Sequence, residues 1–152
     1  MLNLKKTNSH FGKISLIGMM GTGKSKFGRV VAKILNFNFY DIDLLIEKKF
    51  KITIKELFQQ RGELFFRKIE EKTIKDLIWK INKNNERVII SLGGGSFDNK
   101  KTRELLLNNT NVIWLNTSID ILVERIGDGS KRPMIKGDPK HAIRPMDEQV
   151  LL

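Results

Sequence analysis

Four short runs along the chain are apolar almost throughout: 13–17 (KISLI), 37–40 (FNFY), 87–92 (RVIISL) and 111–115 (NVIWL). Their β-branched and aromatic residues, and the turn-forming residues around them, predict strands. Between these runs the apolar residues take helical spacing. Phe27, Val30, Val31, Ile34 and Leu35 fall on one face of a helix beginning near Gly23. Residues 44–50 read as a second helix. Thr53-Ile54-Lys55-Glu56 forms a capping box that opens a third: the Thr hydroxyl takes the amide three residues on, and the Glu reaches back. Gly62 interrupts this helix. Residues 63–82 then continue as an amphipathic stretch with Leu64, Ile69, Ile74, Leu77, Ile78 and Ile81 as its apolar positions. Asp98 or Asn99 caps a helix ending near Asn108, and 118–126 is the last predicted helix.

Strands separated by helices imply an α/β fold, with one parallel sheet covered on both faces in three layers. In such sheets ligands bind beyond the carboxyl ends of the strands. Those ends carry Gly18 to Ser25, then Asp41 and Asp43, then Gly93, Gly94 and Gly95. At 152 residues the chain is expected to be a single domain, 1–152. From Gly127 it turns rich in Gly, Asp, Lys and Pro, which reads as a lid over about 127–139.

Composition narrows the chemistry. There is no cysteine, which excludes disulfides and thiolate sites, and His10 and His141 match no metal-ligand spacing. The formal charge is +11, from 28 basic and 17 acidic residues. The lysines are dispersed, as at Lys48, Lys49, Lys55, Lys72, Lys80 and Lys83, with no basic block interleaved with aromatics. The charge therefore reads as solvated faces and a field that draws anionic substrates, not as a nucleic-acid groove. No apolar run approaches membrane-spanning length, and the N-terminal stretch lacks the apolar segment of a secretory signal. A cytoplasmic protein without nucleic-acid or membrane partners is expected.

Gly18, Gly23, Lys24 and Ser25 match G-x-x-x-x-G-K-[ST], with a predicted strand before and a helix after. In that setting the backbone N–H groups from Gly18 through Met20, Gly21, Thr22 and Gly23 converge on an anion. The helix beginning at Lys24 adds the positive end of its dipole. Lys24 suits the β- and γ-phosphates, and the Ser25 hydroxyl suits Mg²⁺. The loop thus points to a nucleoside triphosphate and Mg²⁺ without separating a kinase from a GTPase or a motor. The compact chain has no N-K-x-D guanine-reading sequence, which favours a small-molecule kinase.

Further motifs follow in order: Asp41-Ile42-Asp43 as D-x-D; Phe58, Gly62, Glu63, Phe66-Arg67 and Glu70 as F…G-E…FR-x-x-E; the triplet Gly93, Gly94, Gly95; and Arg132-Pro133. Together they make the chain, from about residue 13 to 135, resemble the shikimate kinase family. The resemblance implies an NMP-kinase-like P-loop fold and transfer of phosphoryl from ATP, with Mg²⁺, to the 3-hydroxyl of shikimate. It also implies a cytoplasmic monomer in the pathway to aromatic amino acids. By the same resemblance Asp41 reaches Mg²⁺ with Ser25, Asp43 meets the acceptor hydroxyls, Arg125 packs on adenine, and Arg132 swings onto the transferring group.

The residues can also be read on their own chemistry. A small hydroxylated carboxylate needs a fixed cation, and Arg67 offers a fork that grips a carboxylate bidentately. Glu63, Glu70 and Glu71 stand at helical spacings that orient it. Asp41 and Asp43 point to opposite sides if the chain is still extended there. Asp43 can accept the hydroxyl proton, though its place equally suits a cap for the helix at 44–50. Gly93, Gly94 and Gly95 let backbone approach the substrate, and Phe58 and Phe66 are either walls of the acceptor pocket or plain core.

After Ile135 the pattern departs from the family. Arg144 precedes Pro145 directly where an R-x-P-x-Y segment would hold a second carboxylate contact. The sheet is expected to lack a fifth strand and closing helix. A gluconate kinase of the same fold and a nucleotide-binding remnant with little activity are the other readings; FR-x-x-E with GGG argues against the first.

Overall fold

The computed structural model describes residues 10–126. Strands β1 (Lys13–Ile17), β2 (Asn38–Asp41), β3 (Val88–Ser91) and β4 (Asn111–Trp114) form one sheet in the order β2-β3-β1-β4. Every neighbouring pair is parallel. Helices α1 (Lys24–Leu35), α2 (Ile42–Phe50), α3 (Ile54–Lys83), α4 (Lys100–Asn109) and α5 (Ile119–Ile126) alternate with the strands, and a short 3₁₀ turn (Ser96–Asp98) precedes α4.

β3 is buried along its whole length, as an apolar run in a central parallel strand requires. Its side chains alternate between two cores. Val88 and Ile90 join Ile17 and the buried faces of α2, α3 and α4, including Ile42, Ile46, Leu57, Ile74, Ile81 and Leu106. Ile89 joins Leu16 and Ala32 of α1 on the other face. This is the expected three-layer α/β arrangement.

Three local expectations need correction. The apolar stripe predicted to bury α1 is largely exposed: Val30 is 53% and Ile34 75% accessible, and Phe27 and Leu35 are also open. The helix instead meets the sheet through its small residues. A Cβ on Gly28 would come within 2.8 Å of both Leu16 and Phe39, so only a glycine allows the approach. Leu64, expected on the buried face of α3, is 82% exposed. Finally, α2 begins two residues earlier than predicted, and its N-cap is Asp41, whose side chain accepts from the Leu44 N–H at 3.2 Å. Asp43 therefore sits in the first helical turn, not in extended chain and not at the cap.

The capping box at Thr53 and Glu56 forms as expected, with Glu56 N–H on Thr53 Oγ1 and Thr53 N–H on Glu56 Oε2. The helical run it opens reaches Lys83, interrupted at Gly62, whose φ of 77° and ψ of 170° break the helical path. Asn99 caps α4, accepting from the N–H groups of Lys101 and Thr102. No helix among the described residues is long and apolar enough to cross a membrane. The predicted lid with Arg132, the stretch with Arg144, the question of a fifth strand and closing helix, and the Arg125 side chain lie outside the described residues.

The break at Gly62 yields a prediction of unusual sign. Glycine to alanine inside a regular helix stabilises by up to about 1 kcal/mol. At Gly62 there is open space for a Cβ, so the backbone angles alone decide. Those angles belong essentially to glycine, and Gly62→Ala should destabilise by about 1–3 kcal/mol in urea or thermal unfolding.

Candidate active site

The chain leaves β1 toward β2 on one side and leaves β3 toward β4 on the other, which opens a crevice at the carboxyl ends of these two central strands. A cavity of about 360 Å³ lies there. Its walls are the loop after β1 (Met20, Gly21, Gly23, Lys24, Ser25), Asp41 and Asp43 after β2, and Gly93 and Gly94 after β3. The two loops touch: a Cβ on Gly94 would lie 3.1 Å from the Met20 N. Predicted motifs from three separate strands thus converge on one space.

The loop after β1 folds tightly. Gly18 passes so close to β4's end that a Cβ there would stand 2.5 Å from the Leu115 carbonyl oxygen. The Thr22 hydroxyl donates to the Met19 carbonyl at 2.9 Å. Gly23, in the left-handed region at φ 87°, turns the chain into α1, whose first turn carries no acidic residue to oppose an anion. Lys24 is buried, and its Nζ donates to the carbonyls of Gly18 and Met19 at 2.6 and 2.8 Å. The ammonium is thereby held over the loop it serves.

Ser25 and Asp41 meet as the metal reading requires. The Ser25 hydroxyl donates to Asp41 Oδ2 at 2.5 Å, and the Ser91 hydroxyl lies 3.2 Å from Ser25 Oγ. Asp41 and Ser91 are direct partners in the β2–β3 register. Asp41 is thus fixed by its strand, by the α2 cap and by Ser25. These adjacent oxygens suit a hard divalent cation that draws its remaining ligands from phosphate and water.

Asp43 is the electrostatic anomaly. Its Oδ1 is buried and has no hydrogen-bond partner. Burial pushes its carboxyl up to about 6, helped by the charges of Asp41 and Glu70 and opposed by Lys24. A buried acceptor without a donor is costly in a folded protein and marks a place for a ligand group.

Arg67 lies behind the glycine triplet. Its Nη1 donates to Glu70 Oε2 at 2.7 Å, and its Nε stands 3.6 Å from Glu63 Oε1. A Cβ on Gly95 would come 2.7 Å from Nη2, so the guanidinium lies against bare backbone. Glu63 and Glu70 orient Arg67 as the spacing predicted. Glu71 does not: its Oε2 takes the Asn99 side-chain amide at 2.9 Å instead. Phe66 is buried in the core with its ring 4.6 Å from that of Phe58.

Sequence reasoning passed over Ser91 and Ser96. Ser91 had a signal, being the polar residue near the end of an otherwise apolar strand. Ser96 had none, because its importance comes from Glu70, 26 residues away in the chain.

Known proteins resemble most of this chain. The sequence profile of the family described as Shikimate kinase matches residues 20–149. A shikimate kinase from a Sulfurihydrogenibium species is 38% identical over 136 residues, spanning 90% of this chain and 78% of that protein. One from Staphylococcus aureus is 43% identical over 120 residues, 79% of this chain and 66% of the relative. A solved shikimate kinase from Acinetobacter baumannii, in complex with shikimate, superposes with a TM-score of 0.80 at 29% identity, over 90% of this chain and 76% of that one. The chain belongs to the shikimate kinase family.

Proposed function

We propose that this member of the family binds ATP along the loop from Gly18 to Ser25 and transfers the γ-phosphoryl group to the 3-hydroxyl of shikimate, seated over Asp43 and the turn at Gly93, Gly94 and Gly95. The observation that carries the reading is Asp43 Oδ1, buried at the cavity and lacking a donor. A substrate hydroxyl supplies the missing hydrogen bond.

The residues divide the work. The amides at the start of α1 and the Lys24 ammonium bind the phosphates and offset charge on the transferring group. Ser25 and Asp41 would hold Mg²⁺, which when bound neutralises phosphate charge and aligns the reacting groups. Asp43 accepts the hydrogen bond of the 3-hydroxyl. As the new P–O bond forms and the bridging bond to the β-phosphate breaks, Asp43 takes the proton and ADP leaves. Because the transition state is loose, orienting the hydroxyl matters before proton transfer does. Arg67, steadied by Glu63 and Glu70, binds the substrate carboxylate. A cytoplasmic monomer, as the family resemblance implies, belongs to the same proposal, since one chain supplies every group named.

The direct test is coupled ADP release by the purified chain with shikimate, with gluconate and with no acceptor. Release that depends on shikimate alone is expected; release equal in all three overturns the reading.

Two variants probe the roles. Arg67→Ala should weaken shikimate binding about a hundredfold while leaving ATP affinity unchanged, as read by calorimetry. Asp43→Asn should lower turnover by about 10²–10⁴. The same variant should be more stable in metal- and nucleotide-free protein near neutral pH. The folded carboxyl titrates at about 6 against 3.8 ordinarily, so the protonated form contributes stability below about pH 4 that is lost as pH rises through 6. Asparagine avoids that loss, by about 3 kcal/mol at most. The gain in melting temperature should be present at pH 7.5 and vanish below about pH 4.

A further inference from the structure

The mechanism leaves the buried Ser96 hydroxyl, beside the acceptor side of the site, unused. Ser96 stands at the start of the 3₁₀ turn after the glycine triplet, is 1% exposed, and donates from its Oγ to Glu70 Oε1 at 2.6 Å. Glu70 is itself buried, with its other oxygen bound to Arg67 Nη1 at 2.7 Å. A buried carboxylate is held in one orientation when both of its oxygens have donors. Glu70 has one from each side of the site.

The placement ties these groups to the acceptor pocket. A Cβ on Gly93 would meet Glu70 Oε1 at 2.8 Å, Ser96 Oγ at 3.1 Å and Asp43 Oδ1 at 3.3 Å. The Ser96–Glu70 bond therefore packs against the first glycine of the triplet, on the side where Asp43 lies. The Ser96 N–H also closes a turn onto the Gly93 carbonyl at 3.2 Å. At the other end Arg67 rests on Gly95.

We propose that Ser96 is a positioning residue for the acceptor: its hydroxyl fixes Glu70, and through Glu70 it holds Arg67 flat against the glycine turn in the geometry that receives the substrate carboxylate. The inference rests on the shikimate reading above. Without the Ser96 hydroxyl, Glu70 Oε1 is left buried with no donor there. The carboxylate then turns away from that place, and Arg67 is loosened with it. Neither Ser96 nor Glu70 hydrogen-bonds the loop from Gly18 to Ser25, so the loss falls on the acceptor side.

The test is a double-mutant cycle on the full chain, with shikimate and ATP affinities measured by calorimetry and kcat and KM by coupled ADP release. Ser96→Ala should raise the Kd and KM for shikimate about tenfold, leave the ATP values within about twofold, and change kcat little. Glu70→Gln should weaken shikimate at least as much. The double variant should be no worse than Glu70→Gln alone, since Ser96 acts through that carboxylate. Ser96→Thr, which keeps the hydroxyl, should restore most of the affinity lost in Ser96→Ala. Equal shikimate affinity in wild type and Ser96→Ala overturns the proposal alone, as do additive losses or parallel losses for ATP. A wild-type chain that binds ATP but not shikimate overturns the functional reading and this inference together. Should Ser96→Ala not fold, the Ser96→Thr and Glu70→Gln variants decide: unchanged shikimate affinity in Glu70→Gln sinks the relay.

Discussion

Asp41, Ser91 and Leu16 stand in one row across three parallel strands, and the whole site hangs from that row. The phosphate loop begins just after Leu16, the glycine triplet just after Ser91, and the acidic pair at Asp41. Register in a parallel sheet is set by burying the right side chains on each face, and a slip of one residue would turn every side chain over. Here Ile89 and Leu16 face one core while Val88, Ile90 and Ile17 face the other. The apolar packing of the sheet thereby brings Ser25 Oγ, Asp41 Oδ2 and Ser91 Oγ together beyond the strand ends. Hydrophobic burial does the placing; polar chemistry occupies the place.

What gathers there is a divided electrostatic field. The start of α1 and Lys24 make one side positive, while Asp41, Asp43 and Glu70 make the other negative. The acids are unequal in their support. Asp41 caps α2, accepts from Ser25 and is strand-bound; Glu70 has a donor on each oxygen; Asp43 Oδ1 has none. The least satisfied carboxylate is the one to which the proposed function assigns the acceptor hydroxyl. Stability given up at one atom in this way is a common mark of a functional site.

Much of this was legible in advance because the motifs lie at strand ends, and strand ends in such sheets face ligands. Apolar runs located the strands, the loop pattern with its flanks located the tight turn between β1 and α1, and the capping box at Thr53 and Glu56 is a purely local structure. Local rules failed where contact distance mattered. Periodicity assigned α1 an apolar face at Phe27, Val30 and Ile34, but the helix sits on Gly28 and Ala32, since close approach to the sheet rewards small residues over greasy ones. Asp43 read as a possible cap because a helix starts nearby, yet the start falls at Ile42 and makes Asp41 the cap.

By itself the sequence determined the order of elements, the parallel α/β class, the anion-binding loop and the residue types available to an acceptor. Each of these depends on spacing between neighbours in the chain. Only the tertiary structure decided which carboxylate is satisfied and which is not, that Ser91 joins the Ser25–Asp41 pair, and that Ser96 reaches Glu70. Those facts depend on burial and on contacts between residues distant in sequence. Desolvation, which raises Asp43, exists only once the helices have closed over the sheet.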